Sequence, residues 1–179
     1  KLKKTRGLQR RARQRSNVLS VSLVGYTNAG KSTLFNRLTQ SGVYAADQLF
    51  ATLDTTSRKL FIPECGPVVL SDTVGFIKHL PHALVEAFGA TLEEAVQADL
   101  LLHVVDAASP KRDDQIAQVN LVLNEIGAAD VRQVLVLNQI DRLGMEPGME
   151  RDEYGRIRTV RISAMTGAGV DLIKQVMIE

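Results

Sequence analysis

A run of small and polar residues that ends in a lysine and a hydroxyl side chain is the first feature of this sequence that could do chemistry. Residues 25–32 match the pattern GxxxxGK[ST], directly after an apolar stretch with the composition of a strand. Glycines allow a tight loop whose backbone N–H groups point inward, and a following helix adds the positive end of its dipole. Such a loop favours a triphosphate, with Lys31 on the β- and γ-phosphates as a catalytic group and Ser32 on Mg²⁺. The predicted contacts of the loop are Gly25, Tyr26, Thr27, Asn28, Ala29, Gly30, Lys31, Ser32 and Thr33.

An aspartate closes a second apolar run. Residues 68–71 are Val-Val-Leu-Ser, and Asp72 follows them in a DxxG pattern that ends at Gly75. We predict that Asp72 holds Mg²⁺ through water. The backbone N–H of Gly75 is predicted to approach the γ-phosphate as part of the catalytic set, so that loss of this phosphate releases the segment beyond it. Thr73 and Val74 complete the predicted contacts, although an aspartate at a strand end also fits a simple helix cap.

A segment rich in Thr and Ala lies between Tyr44 and Ser57, after the first predicted helix and before the second predicted strand. A hydroxyl here can complete the Mg²⁺ shell only when the γ-phosphate is present, which would make the segment a first switch. The residues alone leave three candidates, Thr52, Thr55 and Thr56. A polar connecting loop is the alternative interpretation.

A third pattern, Asn138-Gln139-Ile140-Asp141, follows another apolar run and is close to NKxD. The Asp141 carboxylate can pair with the N1–H and the amine of guanine, whereas adenine has an acceptor at N1 and no amine at position 2. Two charge-assisted bonds of about 1.5–3 kcal/mol each correspond to a preference of about 10² to 10⁴ for guanine. Asn138 is expected to tie this loop to the phosphate loop.

Two further features belong to the predicted base site. Gln139 stands where a lysine would lay its aliphatic stem over the purine, which predicts weaker nucleotide affinity with unaltered specificity. After the last predicted strand, Ser163, Ala164 and Met165 are expected to supply a backbone N–H to the guanine O6.

The elements that must position these residues alternate between short β-rich apolar runs and helix-period segments. This alternation predicts a three-layer α/β fold, with a mostly parallel six-stranded sheet and helices on both faces. The predicted strands are residues 18–24, 58–62, 68–71, 100–105, 134–137 and 157–162, and helices are predicted to begin at Lys31 and near Pro81, Lys111 and Thr166. Residues 143–156 hold three glycines, a proline and many charges, which predicts a loop.

Composition limits the class of protein. The 179 residues are 45% hydrophobic and 23% charged, and the one cysteine, Cys65, has a Gly-Pro flank that indicates a turn. No apolar run reaches the roughly 18 residues that a membrane span requires. We therefore expect a soluble, cytoplasmic monomer.

Charge is unevenly distributed along the chain. Residues 1–15 carry eight Lys or Arg and no acid, and the remainder has 14 basic against 20 acidic residues, a balance of −6. We divide the chain into a basic linker, residues 1–16, predicted to be helical, and a nucleotide-binding domain, residues 17–179. A basic arm on an acidic body favours contact with a polyanion such as RNA, and a solvated helix is the alternative.

Three long runs carry a resemblance to a known family: GYTNAGKSTLFN at residues 25–36, YAADQLFATLD at 44–54 and DTVGFIKHLPH at 72–82. Together they resemble the HflX family of bacterial GTPases over nearly the whole chain. The resemblance implies that Thr52 is the switch threonine on Mg²⁺. It also implies GTP hydrolysis, association with the rRNA and proteins of the large ribosomal subunit, and a role in ribosome splitting or rescue under stress. The residues that it places beside GTP or GDP around Thr52 are Phe50, Ala51, Leu53 and Asp54.

The catalytic set has one gap. Many GTPases orient the attacking water with a glutamine directly after DxxG, and here that position is Phe76. We expect slow intrinsic hydrolysis that a partner stimulates, and the alternative is a nucleotide-gated RNA- or ribosome-binding module with negligible hydrolysis. Related GTPases can hold K⁺ beside the phosphates with an asparagine, and we hypothesise this role for Asn28. His79 and His82 are expected to be surface residues rather than bases, and His103 is expected to be structural.

Overall fold

A computed structural model of the chain describes residues 18–26, 29–39, 56–62, 64–72 and 96–178. These ranges contain seven strands and three α-helices. The strands are β1 (Leu19–Gly25), β2 (Thr56–Ile62), β3 (Gly66–Asp72), β4 (Leu100–Asp106), β5 (Arg132–Asn138), β6 (Gly148–Arg151) and β7 (Ile157–Arg161). The helices are α1 (Lys31–Thr39), α2 (Arg112–Glu125) and α3 (Val170–Ile178), and a short 3₁₀ helix spans Ile140–Leu143.

The strands form one sheet in the order β2-β3-β1-β4-β5-β7-β6. The inner strands β3, β1, β4, β5 and β7 run parallel, and β2 and β6 lie antiparallel at the two edges. The prediction of a mostly parallel sheet is confirmed. Because parallel strands end at the same edge of a sheet, Gly25, Asp72 and Asn138 come to one side of the molecule.

Two apolar clusters lie on opposite faces of the sheet. Val21 and Leu23 of β1 belong to the cluster that includes α1 and α3, whereas Val24 belongs to the cluster that includes α2. Successive strand residues point to opposite faces, so helices cover both faces, as predicted. In α1 the buried side chains include Leu34 and Leu38, which lie one above the other because they are four residues apart.

The helix starts largely follow the sequence pattern. α1 begins at Lys31 and α2 at Arg112, as predicted. α3 begins at Val170 rather than near Thr166, because the intervening segment forms a turn that contains two glycines with positive φ. The helix predicted near Pro81 lies outside the described residues. None of the helices in the described ranges is long and apolar enough to cross a membrane.

The sheet has one strand more than predicted, because residues 143–156, predicted to be a loop, contain β6. β6 is four residues long and has one apolar side chain, Met149, so no alternation marks it in the sequence. Its Glu150 carboxylate lies 3.2 Å from Arg161 Nη1 and 3.5 Å from Arg158 Nη2, both on β7. Pairing with β7, rather than a local pattern, therefore specifies this edge strand.

The central strand β4 has six of its seven residues buried. Its polar member on the α2 face, His103, is 1% exposed, and Gln133 Nε2 lies 2.7 Å from the His103 Nδ1. The same Gln133 nitrogen lies 3.3 Å from Asn120 Oδ1 on α2. Burial lowers the pKa of His103 from 6.5 to about 4, so the ring is neutral at pH 7. His103 is a buried structural residue, as predicted.

Replacing His103 with leucine should flatten the dependence of stability on pH between about 4 and 6.5. The unfolded chain takes up a proton on His103 below pH 6.5, and the folded chain does so only below about 4. The wild type therefore loses stability as the pH falls through this window, by roughly 3 kcal/mol in all. Urea unfolding of the wild type and the variant at several pH values measures the slope. A His103→Leu variant with the wild-type slope would contradict the assignment.

Candidate functional site

The carboxyl ends of β1 and β3 bring the two predicted phosphate elements together, with Leu23 in register with Asp72. Lys31 Nζ lies 3.1 Å from Asp72 Oδ1, and the Ser32 hydroxyl donates to Asp72 Oδ2 at 3.3 Å. The Lys31 and Asp72 side chains are 4% and 3% exposed. Buried charges persist only when they are paired and hydrogen-bonded. The lysine, hydroxyl and carboxylate predicted for phosphate and Mg²⁺ thus form one cluster, in which Lys31 and Asp72 are buried and Ser32 is half-buried.

The donor set of this cluster fits Mg²⁺. The Ser32 hydroxyl and the Asp72 carboxylate are hard oxygen donors, and Mg²⁺ typically takes one or two such protein oxygens and fills its other positions with water and phosphate. Within the described ranges, no group of three or more His, Cys, Asp or Glu side chains is placed to hold a metal. A cage made of such protein ligands is therefore not found in this part of the chain.

Both glycines of the phosphate loop lie so close to neighbouring residues that a side chain would not fit at either position. Gly25 has a φ of 151° and Gly30 a φ of 90°. A Cβ at Gly25 would overlap the carbonyl oxygen of Val104, and one at Gly30 would overlap the amide nitrogen of Asn138. The helical ladder starts where Leu34 N–H donates to Gly30 O at 3.0 Å. The N–H groups of the first turn of α1 precede that ladder, as in an anion-binding helix terminus.

Asn138, at the end of β5, connects the loops of the site. Its Nδ2 donates to Ala29 O at 2.9 Å, and its Oδ1 accepts the Ala164 N–H at 2.9 Å. The residue is 2% exposed. The predicted tie between Asn138 and the phosphate loop is present, and the bond to Ala164 extends it to the loop after β7.

The predicted base-binding residues lie together. Ser163 Oγ donates to Asp141 Oδ1 at 2.8 Å, which orients the exposed Asp141 carboxylate. The Ser163 N–H donates to Ala168 O at 2.8 Å, and the Ala164 N–H goes to Asn138. Of the three residues expected to donate to the guanine O6, Met165 is therefore the one whose N–H makes no hydrogen bond within the described residues.

Gln139 has an unusual backbone and a specific partner. Its φ of 66° is the one positive value for a non-glycine residue in the described part of the chain. Arg142 Nη1 donates to Gln139 Oε1 at 2.9 Å and lies 3.9 Å from Asp106 Oδ2. A Cβ on Gly30 would lie 4.0 Å from Gln139 Nε2, so the Gln139 amide lies beside the phosphate loop. Arg142 thus places a positive charge near the position at which the NKxD pattern has lysine.

Tyr26, a predicted contact, directs its side chain elsewhere. The ring packs against the apolar cluster under α2. Its buried hydroxyl has no hydrogen-bond partner among the described residues. Burial raises the Tyr26 pKa above its usual 10, with a smaller contribution from the negative charge of Asp114. Only the backbone of Tyr26 therefore remains for the predicted contact with a nucleotide. Its carbonyl accepts the Ala29 N–H at 3.2 Å.

Sequence reasoning missed Arg142 and also Arg37, which lies in the last turn of α1. Its Nε donates to Ala164 O at 2.7 Å and its Nη2 donates to Met165 O at 2.6 Å. A basic residue in the last turn of a helix is typical of a solvated position that favours the helix dipole. No local signal indicates a partner that lies 127 residues away along the chain.

Several predicted site residues lie outside the described residues, and their roles stay predictions. Those from the predicted contact set are Thr27, Asn28, Phe50, Ala51, Thr52, Leu53, Asp54, Thr73, Val74 and Gly75. Thr55, Phe76, His79, His82 and the linker of residues 1–16 also lie outside. The backbone of Thr56 begins β2.

The mostly parallel sheet, the phosphate loop and the nearby pair of Asp141 and Ser163 place this chain in the class of P-loop GTPase domains. Residues 20–139 match a family model described as "50S ribosome-binding GTPase". "GTPase HflX" of Escherichia coli strain K12 is 53% identical over 180 residues and aligns with 100% of this chain. The chain belongs to the HflX family of GTPases. It spans 42% of the length of the E. coli protein.

Solved structures with bound nucleotide share the fold. A GTP-binding protein from the archaeon Sulfolobus solfataricus, in complex with GDP, matches with a TM-score of 0.66 and 27% identity over 89% of this chain and 51% of its own. Era in complex with MgGDPNP and a segment of 16S ribosomal RNA matches with the same TM-score and identity, over 89% of this chain and 56% of its own. The sheet order and the loops described above therefore belong to a fold that carries guanine nucleotides in similar proteins.

Lys31→Met should lower the free energy of unfolding by about 3–5 kcal/mol, because it removes the cation beside the buried Asp72 carboxylate. Adding Asp72→Asn removes that charge as well, so the double variant should recover much of the loss. Urea denaturation of the wild type, both single variants and the double variant gives the coupling energy. Lys174→Met, which changes an exposed lysine of α3, should alter stability by less than about 0.5 kcal/mol. Strictly additive losses would show that the two charges do not depend on each other.

Proposed function

We propose that the chain binds GTP and GDP with Mg²⁺ at the carboxyl ends of β1, β3 and β5, and that it hydrolyses GTP as a molecular switch. The observation that carries this proposal is the cluster of Lys31, Ser32 and Asp72 beside the phosphate loop. The nucleotide-bound proteins of the same fold support it, one with GDP and one with MgGDPNP.

The Lys31–Asp72 pair contains both charges that a magnesium triphosphate needs: a cation for the phosphates and a carboxylate for Mg²⁺. On binding, Lys31 would exchange Asp72 Oδ1 for the β- and γ-phosphates. Ser32 would then hold Mg²⁺ directly, and Asp72 would hold it through water. Each charge exchanges one partner for another, so neither is left buried without compensation. Bound Mg²⁺ would neutralise phosphate charge. The cluster therefore accounts for binding of the metal and the nucleotide together.

Guanine selection is assigned to Asp141 and the loop after β7. The Ser163 hydroxyl holds one carboxylate oxygen at 2.8 Å, so the Asp141 carboxylate is oriented before a base arrives. In this orientation it is proposed to accept the N1–H and the amine of guanine. A P-loop ATPase is the competing class, and it requires ATP to compete with GTP for this pocket.

Hydrolysis is proposed to be slow without a partner, because Phe76 stands where many GTPases have a water-orienting glutamine. We assign the γ-phosphate contact to Gly75, the switch hydroxyl on Mg²⁺ to Thr52, and a K⁺ contact to Asn28. The same Phe76 favours a second candidate, a nucleotide-gated binding module in which turnover is negligible.

We propose the large ribosomal subunit as the partner, with a role in ribosome splitting or rescue under stress, for a cytoplasmic, monomeric protein. Two observations support this. The matching family model is described as a ribosome-binding GTPase, and residues 1–15 carry eight basic side chains that suit rRNA.

Asp141→Asn should lower GDP affinity by about 10²–10⁴ and should create affinity for xanthosine diphosphate. An amide oxygen can still accept the N1–H, and the amide nitrogen can donate to the 2-carbonyl that xanthine has in place of the amine. Calorimetric titration with GDP, xanthosine diphosphate and ADP measures the change. Asp130→Asn, an exposed aspartate before β5, is the matched control and should bind GDP like the wild type. Unchanged selectivity together with tight ADP binding would support an ATPase.

GTP turnover should rise when purified large ribosomal subunits are added. The full-length protein should also cosediment with that subunit more strongly in a non-hydrolysable GTP analogue than in GDP, because only the γ-phosphate holds both switches. Phosphate release and pelleting assays measure the two effects. Analogue-dependent cosedimentation without stimulated turnover would favour the binding module. No cosedimentation in either nucleotide would contradict the ribosomal partner.

A further inference from the structure

Arg37 joins the helix that starts at the phosphate loop to the loop that faces Asp141. α1 begins with Lys31 in the buried cluster, and Arg37 lies in its last turn. The Arg37 guanidinium donates to two successive carbonyl oxygens, those of Ala164 and Met165, at 2.7 and 2.6 Å. Both contacts are short for N–H···O bonds, as expected when the donor is charged.

Because the peptide bond is planar, the contact between Arg37 and the Ala164 carbonyl also fixes the direction of the Met165 N–H. The Ala164 carbonyl and the Met165 N–H belong to the same planar peptide unit, and no cis peptide occurs in the described residues. In a trans peptide these two groups point in opposite directions. By holding the Ala164 oxygen, Arg37 therefore directs the Met165 N–H away from α1. A cation on the carbonyl also polarises the peptide and strengthens its N–H as a donor.

The preceding peptide is held as well, by a different residue. The Ala164 N–H donates to Asn138 Oδ1 at 2.9 Å, and the other end of the Asn138 amide donates to Ala29 of the phosphate loop at 2.9 Å. The loop after β7 is thus fixed at one peptide by Asn138 and at the next by Arg37. The Met165 N–H is the group that these contacts orient and that no described residue accepts.

We propose that Arg37 is a positioning residue for guanine recognition, which aims the Met165 N–H at the O6 of the bound base. The inference rests on the proposed function. It separates recognition of guanine into two parts: Asp141 reads the N1–H and the amine, and Arg37 acts through the backbone on the O6 side.

Two analogues of GDP report on the two parts separately. In 6-thio-GDP the O6 is replaced by sulfur, a poorer acceptor, while the groups that face Asp141 are kept. In inosine diphosphate the amine is missing and O6 is kept. Arg37→Met keeps the aliphatic stem and removes both donors. It should weaken GDP binding roughly tenfold, bring the GDP to 6-thio-GDP affinity ratio towards one, and leave the GDP to inosine diphosphate ratio at the wild-type value.

Competition titrations with a fluorescent GDP derivative measure all three affinities. Arg158→Met, an exposed arginine on β7, is the matched control and should leave every affinity unchanged. Arg37→Lys keeps the charge with a single donor group and should give an intermediate 6-thio-GDP ratio, and thermal unfolding verifies that each variant is folded.

Other results would overturn the inference. An Arg37→Met variant that binds GDP like the wild type would do so, and so would one that loses affinity for all three nucleotides with both ratios unchanged, since Arg37 would then only brace α1. If the wild type itself does not bind GDP, the proposed function fails first, and that outcome is visible before any variant is compared.

Discussion

The site depends on one electrostatic constraint, the burial of the Lys31 and Asp72 charges at the ends of adjacent strands. A pair that is 4% and 3% exposed is stable only if each charge has its partner and the remaining polar atoms are satisfied. The parallel register of β1 and β3 places Asp72 beside the loop, the start of α1 places Lys31 above it, and Ser32 donates to the second carboxylate oxygen. Strand order, helix start and loop length therefore all serve the same contact.

Side chains, rather than strand pairing, join the phosphate loop to the segments that hold Asp141 and Ala164. The backbone N–H groups that such a loop directs at a phosphate cannot also donate hydrogen bonds to a neighbouring strand. Asn138 replaces the missing backbone bonds with one donor and one acceptor, towards Ala29 and Ala164. Its amide passes so close to Gly30 that a Cβ there would collide with it. Glycine in the loop and asparagine at the end of β5 are thus two halves of one arrangement.

Sequence patterns were sufficient where a function needs particular residue types at short spacing. The phosphate loop, Asp72, Asn138 and the parallel sheet follow from local motifs and from the alternation of strands and helices, because each has a strong physical requirement within a few residues. β6 was missed because four residues with one apolar side chain carry no period.

Arg37 and Arg142 were missed for a different reason. Each is a surface-type side chain whose importance comes from a contact made by the tertiary fold, as with the two carbonyl oxygens that Arg37 holds. Charged side chains at helix ends are common, so residue type alone does not separate a solvated arginine from one that holds a loop.

Gln139 and Arg142 show how the site departs from the NKxD pattern at one position. Arg142 brings a positive charge to the neighbourhood of the absent lysine, but Asp106 lies 3.9 Å from it and offsets that charge. The guanidinium is also occupied with Gln139 Oε1 at 2.9 Å. This arrangement orders the Gln139 side chain beside the phosphate loop, and the Arg142 charge there is offset by Asp106. A stacked cation increases the affinity for any purine, whereas the proposed discrimination between guanine and adenine is assigned to Asp141 and the loop after β7. If that assignment holds, the departure at Gln139 changes affinity and leaves discrimination unchanged.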